Sequence, residues 1–477
     1  MSVRTRFAPS PTGFIHVGSA RTALYAWLFA KKHGGQFVLR IEDTDKAREV
    51  EGAIGHLMES LKWLGIQWDE SIDVGGPYEP YLQSARIDSH QDYARRLIDA
   101  GFAYPDPYTP EEVDVFRKRA EEEKRPFLFR DHRPDQFEEW DGTKPLRFKV
   151  PVIKRYEWED VVFGTLSAGE EALDDFILIK GDGYPTYNFA HVIDDIEMRV
   201  THVMRGQEFI SSTPKFLSLY DALGETPPIF ATLPPILGDQ GTKKLSKRDG
   251  AKDILEYRDE GYLPEAMINF LALLGWNPGG EKEIYTRNEL VAAFELERIQ
   301  RSGARFDEEK LLFMNREHMR MLSDEAFIER GGLTAPDTAK LKKAVPLLKE
   351  RTHTFGEAKA MLAGELACLW EAPKLAKELL IAKEPAERPD LTKTALEAIL
   401  EALDGIPESL SVEEVKEILM PLADAEEAKG KGGRGAVLWP ARYALSGLEK
   451  SPDPFILVSI LGTEESTSRL RTALAIL

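Results

Sequence analysis

Short apolar runs and one long amphipathic stretch alternate over the first 45 residues. Residues 4–8 predict a short strand, which a turn rich in Pro and Gly interrupts. From Ser19 the apolar positions recur at helical spacing, and residues 36–41 predict a second strand that ends at the carboxylates Glu42 and Asp43. This βαβ order is typical of a parallel sheet, whose ligands bind at the carboxyl ends of the strands.

The pattern changes twice further along the chain. Residues 104–150 are Pro-rich and highly charged, which predicts an insertion into the sheet domain, and strand patterns return over residues 175–195. Beyond residue 300 the pattern is almost wholly helical, and Ser411 with Glu414 forms a capping box that predicts a helix start. We therefore predict an α/β Rossmann-like (HUP-type) parallel-sheet domain with an α+β insertion, followed by all-α domains.

Length and composition narrow the class of protein. The 477 residues are enough for several domains, and 43% hydrophobic with 30% charged residues is typical of a globular protein. No apolar run is long enough for a membrane span and no signal-peptide pattern opens the sequence, so we expect a cytosolic protein without a membrane partner. The single cysteine, Cys368, excludes an internal disulfide and a Cys-based zinc site, and we expect it to be a small core residue on a helix.

The chain is acidic as a whole but contains two locally basic segments. The net charge of −19 is unusual for a protein that binds nucleic acid. Residues 1–50, however, carry eight Lys or Arg against four Asp or Glu, a net +4, and residues 241–250 carry four against one, a net +3. Two basic patches therefore occur within an acidic chain, although most charge runs are simply solvated faces.

Two local motifs indicate chemistry. The first, APSPTGFIHVGS, includes His16 and Gly18 and lies between the first predicted strand and helix, where free backbone N–H groups and a histidine can hold phosphate oxygens. The second includes Lys244, Lys247 and Arg248, and lysines on a loop can stabilise charge that develops in a transition state. Each motif alone is equally consistent with a tight turn or a basic surface loop, but their occurrence together favours a nucleotide site. A GxGxxG match at residues 430–435 is dismissed because no strand precedes it.

These motifs resemble the HIGH and KMSKS signatures of the class I aminoacyl-tRNA synthetases, and the whole chain is similar to the bacterial glutamyl-tRNA synthetases. The stretches that carry the similarity, in chain order, are FAPSPTGFIHVGSARTAL, LRIEDTD, LKWLGIQWDE, LRFKVP, DGYPTYNFAHVIDD, THVMRGQEF, YLPEAMINFLALLGW, FDEEKLLFMN and PARYALSG.

The resemblance implies a domain order and a reaction. The implied domains are a first catalytic half (1–104), an acceptor-end-binding insertion (105–186), a second catalytic half (187–235), a stem-contact region with the KLSKR loop (236–322), and two helical anticodon-binding domains (323–385 and 386–477). The implied reaction joins L-glutamate to ATP, with Mg²⁺ carried by the ATP, and transfers the glutamyl group to tRNA-Glu. Family members are commonly monomers, so a monomer is expected.

The resemblance also implies the roles of individual residues. Arg6 would bind the side-chain carboxylate of glutamate and Arg205 its α-carboxylate, because an arginine fork suits each carboxylate. Glu42 would take the ammonium group. The remaining members of the glutamate pocket would be Ala8, Ser10, Tyr187 and His191. The ATP site would comprise His16, Gly18, Glu208, Lys244 and Lys247, of which His16, Lys244 and Lys247 would be catalytic.

Three departures from the family pattern affect these roles. Position 191 is His where many members have Asn or a small apolar residue, so its pocket role stays open. The motif RGQEF replaces the commoner RGEDH, so Glu208 is the one carboxylate of this motif to which the resemblance assigns a role. Residues 104–113 lack the cysteines with which some members bind zinc, and we predict no zinc.

The carboxyl half would bind the anticodon. Arg351 falls where discriminating members use an arginine against the third anticodon base, which favours specificity for tRNA-Glu, although a solvated helical arginine is also consistent. The helical pattern of this half disfavours glutaminyl-tRNA synthetase, whose anticodon domains are β-barrels. The alternatives are a non-discriminating enzyme that also charges tRNA-Gln and a catalytically silent tRNA-binding paralogue. A base-modifying paralogue is disfavoured because it usually lacks the helical half.

Overall fold

A computed structural model describes residues 2–238, 241, 243–245, 252–381, 389–428 and 433–477. The described chain separates into two compact units. The first comprises Met1–Arg258 and Pro264–Met314, and the second comprises Asp259–Leu263 and Asn315–Leu477.

The strands of the described residues all lie in the first unit. They are β1 (Arg4–Phe7), β2 (Gln36–Leu39), β3 (Ala103–Pro105), β4 (Leu146–Phe148), β5 (Tyr156–Asp160), β6 (Gly164–Ala168), β7 (Ile177–Ile179), β8 (His202–Gly206), β9 (Ile229–Leu233), β10 (Ile236–Leu237) and β11 (Ala304–Arg305).

Helices alternate with the strands along the first unit and make up nearly all of the regular structure in the second. Up to residue 320 they are α1 (Val17–Lys32), α2 (Ala53–Leu64), α3 (Ile87–Asp99), α4 (Pro110–Glu122), α5 (Tyr187–Glu197), α6 (Thr213–Leu223), α7 (Ile254–Asp259), α8 (Pro264–Leu273), α9 (Arg287–Ala293) and α10 (Glu308–Arg320). Thereafter they are α11 (Asp324–Gly331), α12 (Thr338–Arg351), α13 (Phe355–Ala363), α14 (Lys377–Leu380), α15 (Pro389–Leu403), α16 (Val412–Ala428), α17 (Gly435–Ser446), α18 (Pro454–Leu461) and α19 (Thr463–Leu474).

The central sheet has the order β2-β1-β8-β9-β5-β6 within the described residues. Strands β2, β1, β8, β9 and β5 run parallel to their neighbours, and β6 pairs antiparallel with β5. Two halves of the chain therefore build one sheet, since β1 and β2 precede the charged region and β8 and β9 follow it. The predicted Rossmann-like fold class is confirmed.

The opening βαβ unit agrees closely with its prediction. Helix α1 is buried along most of its length, and it ends where Gly34 adopts a positive φ of 60°. A Cβ at Gly35 would overlap the carbonyl oxygen of Val3, so glycine permits the close approach that starts the pairing of β1 with β2. There the backbone N–H of Gln36 donates to the Val3 oxygen over 2.9 Å.

The charged region from residue 104 contributes to two sheets. Strands β3, β4 and β7 pair antiparallel in a separate sheet, as an inserted α+β element would. Strands β5 and β6 lie within the same predicted insertion but belong to the central sheet, through the parallel pairing of Asp160 with Phe230. The limits proposed for the insertion, 105 and 186, stay predictions.

The second unit is helical, as predicted. Ser411 and Glu414 form the expected capping box at the start of α16: the Ser411 N–H donates to the Glu414 carboxylate over 2.7 Å, and the Glu414 N–H donates back to the hydroxyl over 3.2 Å. Helix α15 ends at Leu403, before Gly405, as its sequence signals indicated. Cys368 is buried in a short 3-10 turn. Gly430 and Gly432 of the GxGxxG match lie outside the described residues, and Gly435 begins α17.

Candidate active site

The turn after β1 and the start of α1 form the first part of the site. His16 is the N-cap of α1, with extended backbone angles of φ −120° and ψ 175°. Its Nδ1 accepts a hydrogen bond of 3.2 Å from the backbone N–H of Gly18. A Cβ at Gly18 would lie 3.3 Å from the imidazole, so glycine leaves room for the ring to lie across the helix terminus. Because Nδ1 is an acceptor, a neutral imidazole carries its proton on Nε2.

A cleft of about 260 Å³ opens along this turn, and its lining includes Ser10, Phe14 and His16. Ser10 is exposed and Ala8 is half-buried. The backbone N–H of Glu42 donates to the Pro9 carbonyl over 3.0 Å, which holds the end of the second strand against the turn. The helix terminus, the turn and Glu42 thus occupy the carboxyl ends of β1 and β2, where parallel sheets bind ligands.

Arg6 of β1 takes part in a buried ionic network. Its Nε contacts both carboxylate oxygens of Asp195, at 3.2 and 3.3 Å. Arg40 joins the same carboxylate at 2.8 Å and also pairs with Glu42 at 2.9 Å. Burial raises the pKa of Glu42 despite the Arg40 charge. Burial also opposes ionisation of Asp195, but the nearby Arg6 and Arg40 guanidinium groups outweigh it and lower the Asp195 pKa.

Asp194, the neighbour of Asp195, anchors a second branch of the network. It accepts from Arg86 at 2.7 Å, from Gln83 at 2.7 Å, and contacts His90 Nε2 at 2.9 Å. Burial opposes its ionisation, but the His90 contact and the charges of Arg40 and Arg86 lower the Asp194 pKa. This branch connects α3 and α5, and Arg40, whose Nε lies 3.7 Å from Asp194, joins it to the branch that holds Glu42 and Asp195.

Arg205 of β8 is a buried cation that forms no ion pair with any described carboxylate. Its Nη2 donates to the Thr213 hydroxyl over 2.5 Å, and the guanidinium lies 4.1 Å from the centre of the Phe230 ring. Its Nε is buried without a hydrogen-bond partner among the described residues. Burial and the nearby Arg6 charge lower the pKa of Arg205 to about 10. A negative ligand would relieve this uncompensated charge.

Tyr187 and His191 lie one turn apart at the start of α5. Their rings stack with centroids 4.6 Å apart, and the His191 Nδ1 lies 2.6 Å from the Tyr187 carbonyl oxygen, so that nitrogen donates. Burial lowers the pKa of His191 to about 4, which makes it neutral near pH 7. Burial also raises the Tyr187 pKa, with smaller effects from Glu42, Arg6 and Arg205. The predicted glutamate-pocket residues therefore act on one another electrostatically.

Glu208 and Lys244 of the predicted ATP site come together. Their side chains approach to 3.5 Å, and both are exposed. The Glu208 carboxylate turns back over Gly206, where a Cβ would overlap it. Lys247 and Arg248 lie outside the described residues.

Arg351 is the last residue of α12, in the second unit. It is exposed and pairs with Glu365 at 2.9 Å. An exposed arginine at a helix end can bind an anionic partner or simply pair on the surface, so its predicted role in the anticodon contact stays a prediction.

A cavity of about 1260 Å³ lies at the opposite ends of the same strands. Its lining includes Arg4, Glu70, Tyr78 and Thr201, near the starts of β1 and β8. It is therefore separate from the turn that carries His16. Among the described residues, no group of three or more His, Cys, Asp or Glu side chains is arranged to hold a metal ion. No described helix is both long and apolar enough to cross a bilayer.

Comparison with known proteins identifies the family. Residues 2–313 match the model of the catalytic domain of class I tRNA synthetases of the E and Q type. The chain belongs to this class I synthetase family. Residues 314–474 match an anticodon binding domain. The class I synthetase similarity thus extends over nearly the whole chain, and the two matched regions meet where the two compact units divide.

Relatives of this synthetase match it from end to end. The chain is 41% identical over 477 residues to a glutamate–tRNA ligase from Clostridium botulinum (strain Hall), covering 98% of this chain and 97% of that protein. It is 39% identical to one from Anaeromyxobacter sp. (strain Fw109-5), covering 99% of each. It is also similar to the crystal structure of a glutamate tRNA ligase from Elizabethkingia meningosepticum in complex with its amino acid. That structure has a TM-score of 0.86 at 36% identity, with 100% of both chains covered.

Sequence reasoning missed the partners of the synthetase's arginines. Arg40, Asp194 and Asp195 were not singled out, although the first follows the apolar run of β2 and the other two follow the mainly apolar FAHVI of α5. Charged residues within otherwise apolar segments are rarely buried unless paired. That signal was available, but it does not indicate which charges pair.

Proposed function

We propose that the chain is a glutamate–tRNA ligase that activates L-glutamate with ATP and transfers it to the 3′-terminal adenosine of tRNA-Glu. The family match supports the class of reaction. The amino acid is supported by the glutamate–tRNA ligases that align with the chain over its full length.

The observation that carries the proposal is that two buried arginines, Arg6 and Arg205, lie near each other and that Arg205 forms no ion pair with a carboxylate of the described residues. Glutamate has two carboxylates, and an arginine can bind each by charge-assisted hydrogen bonds. Arg6 would take the side-chain carboxylate through its terminal nitrogens, and Arg205 the α-carboxylate. Glu42, Ala8, Ser10, Tyr187 and His191 would complete the pocket, with Glu42 receiving the ammonium group.

In the first step the glutamate α-carboxylate oxygen would attack the α-phosphorus of ATP. A bond from that oxygen to phosphorus forms, the bond to the bridging oxygen breaks, and pyrophosphate leaves. The nucleophile belongs to the substrate, so the protein's task is to position it and to stabilise charge. The α1 terminus with His16 and Gly18, together with Glu208, Lys244 and Lys247, would hold the nucleotide.

Mg²⁺ would arrive with ATP. The described groups at the start of α1 are mainly backbone and imidazole donors, which suit phosphate oxygens rather than a metal, so the phosphates themselves would hold the ion. Bound Mg²⁺ would neutralise part of the triphosphate charge. In the second step a ribose hydroxyl of the terminal adenosine would attack the activated carbonyl, and AMP would leave.

Discrimination against glutamine would depend on charge, because the two side chains have nearly the same shape. A neutral amide would lose the charge-assisted contact that a carboxylate makes with the terminal nitrogens of Arg6 and would turn an NH₂ donor toward those donors. Sites built around one polar partner reach a selectivity of roughly 10⁴ to 10⁵. A pocket that selected by size alone would discriminate far less.

The anticodon domain match supports a tRNA partner, and Arg351 would favour tRNA-Glu over tRNA-Gln. The proposed enzyme would act as a cytosolic monomer. Charging purified tRNA-Glu and tRNA-Gln side by side with labelled glutamate tests the proposal. We expect glutamate on tRNA-Glu only. Glutamate on both would indicate a non-discriminating enzyme, and ATP–pyrophosphate exchange absent with and without tRNA would indicate a silent tRNA-binding paralogue.

A further inference from the structure

Asp195 lies against the Nε edge of Arg6, and it lines the cavity at the opposite ends of the strands rather than the cleft beside His16. It is buried at the carboxyl-terminal half of α5, and its carboxylate is shared by two guanidinium groups. Arg6 approaches through Nε at 3.2 Å and Arg40 through Nη1 at 2.8 Å. The low pKa of Asp195 keeps this carboxylate ionised across the neutral range.

This contact determines which edge of Arg6 is available. Both Asp195 oxygens face Nε, while Nη1 makes a longer contact of 3.4 Å to the Met204 carbonyl. The hydrogen bonds of Arg6 to described residues involve Nε and Nη1 and not Nη2. The terminal nitrogens are therefore the ones left for a ligand, and the Nε edge is occupied.

Arg40 holds the same Asp195 carboxylate that Arg6 contacts. Its guanidinium is fully buried and pairs with Glu42 at 2.9 Å as well as with Asp195. One buried arginine thus links the carboxylate at the Nε edge of Arg6 to the carboxylate proposed to receive the ammonium group. A planar guanidinium imposes a fixed geometry on the groups that it bridges.

We propose that Asp195 is a positioning residue for glutamate activation, which holds Arg6 by its Nε so that the terminal nitrogens meet the side-chain carboxylate of the substrate. The inference rests on the proposed function and adds a residue that acts through Arg6 without touching the substrate. Asp195 is also a negative charge near an anionic substrate, so positioning and simple electrostatics predict opposite effects of its removal.

Asp194 is the matched control. It is adjacent, equally buried and also paired with arginine, but its hydrogen bonds are with Arg86, Gln83 and His90, and its contact with Arg40 is a longer one of 3.7 Å. We expect its replacement to perturb the fold and to leave the contact between Arg6 and Asp195 in place. The comparison therefore separates loss of positioning from a general loss of stability.

The experiment measures aminoacylation of tRNA-Glu by the full-length chain, wild type, Asp195→Asn and Asp194→Asn. For Asp195→Asn we expect the KM for glutamate to rise at least about 10-fold, because a charge-assisted contact is lost, with the KM for ATP within roughly twofold. For Asp194→Asn both KM values should stay within about twofold of wild type, even if its melting temperature falls as much as that of Asp195→Asn. Arg6→Lys combined with Asp195→Asn should raise the glutamate KM less than the product of the single effects.

An unchanged or lower glutamate KM in Asp195→Asn would overturn the proposal, and a lower value would indicate that Asp195 only repels the substrate. Equal rises for glutamate and ATP would also overturn it. If Asp195→Asn does not fold, Asp195→Glu replaces it, because this variant keeps the charge but moves the carboxylate. The proposal then requires that the KM for glutamate rises while the KM for ATP stays nearly unchanged. Failure of the wild type to charge tRNA-Glu would instead refute the proposed function.

Discussion

Replacing Arg205 tests whether this buried cation destabilises the fold and serves to bind a substrate carboxylate. The perturbation is Arg205→Met, which keeps an unbranched side chain beside Phe230 and removes the charge. Thr213 tolerates the change, because its hydroxyl still donates to the Phe209 carbonyl over 2.9 Å. The substitution therefore leaves no newly buried donor unsatisfied.

The magnitude follows from the Arg205 pKa, which burial lowers from 12.5 to about 10. Because the folded-state pKa lies below the unfolded one, the charged arginine destabilises the fold at neutral pH. At about 1.4 kcal/mol for each pKa unit, the destabilisation is about 3 kcal/mol. Loss of the Thr213 hydrogen bond and of the contact with Phe230 offsets about 1 to 2 kcal/mol. We expect Arg205→Met to raise the free energy of unfolding by about 1 to 2 kcal/mol and to abolish glutamate activation.

The assay is urea unfolding with and without glutamate, together with ATP–pyrophosphate exchange in the presence of tRNA. Glutamate at 100 times its Kd should stabilise the wild-type catalytic unit by about 2.7 kcal/mol and should not stabilise the variant. A variant less stable than wild type, or one that glutamate stabilises equally, would refute the view that Arg205 is a cation held for a substrate carboxylate.

Three further predictions concern the amino-acid pocket and the ATP site. Arg6→Ala should abolish glutamate activation while ATP binding persists, and parallel losses in both would contradict the assignment. Gly18→Ala places a Cβ 3.3 Å from the His16 ring, so the KM for ATP should rise several-fold with an unchanged KM for glutamate; an unaltered ATP KM would remove His16 from the nucleotide site. Burial lowers the His191 pKa from 6.5 to about 4, so the unfolded chain takes up a proton first and stability should fall as pH drops through this range. His191→Gln should flatten that fall in acid unfolding, and an unchanged slope would show that His191 does not cause it.

The opening βαβ unit could be predicted because its signals are local. The helical spacing from Ser19 and the glycines at 34 and 35 indicate where α1 lies and ends, and the structure agrees to within a few residues. The Ser411 capping box was predictable for the same reason. Each of these features depends on residues less than one element apart.

The ionic network could not be predicted, because its pairings are non-local. Arg40 and Asp195 are separated by 155 residues and meet only after two halves of the chain form one sheet. The addition of β5 and β6 to that sheet was also missed, since the charged composition around them indicated an insertion. Local pattern predicts elements, whereas charge pairing and strand order depend on the assembled topology.

The central claim is that buried cations select an amino acid with two carboxylates. The most direct test compares glutamate and glutamine in ATP–pyrophosphate exchange with tRNA-Glu present. The account predicts a kcat/KM ratio of at least roughly 10⁴ in favour of glutamate. Activation of glutamine within about tenfold of glutamate would contradict it, because that ratio corresponds to no more than about 1.4 kcal/mol of discrimination.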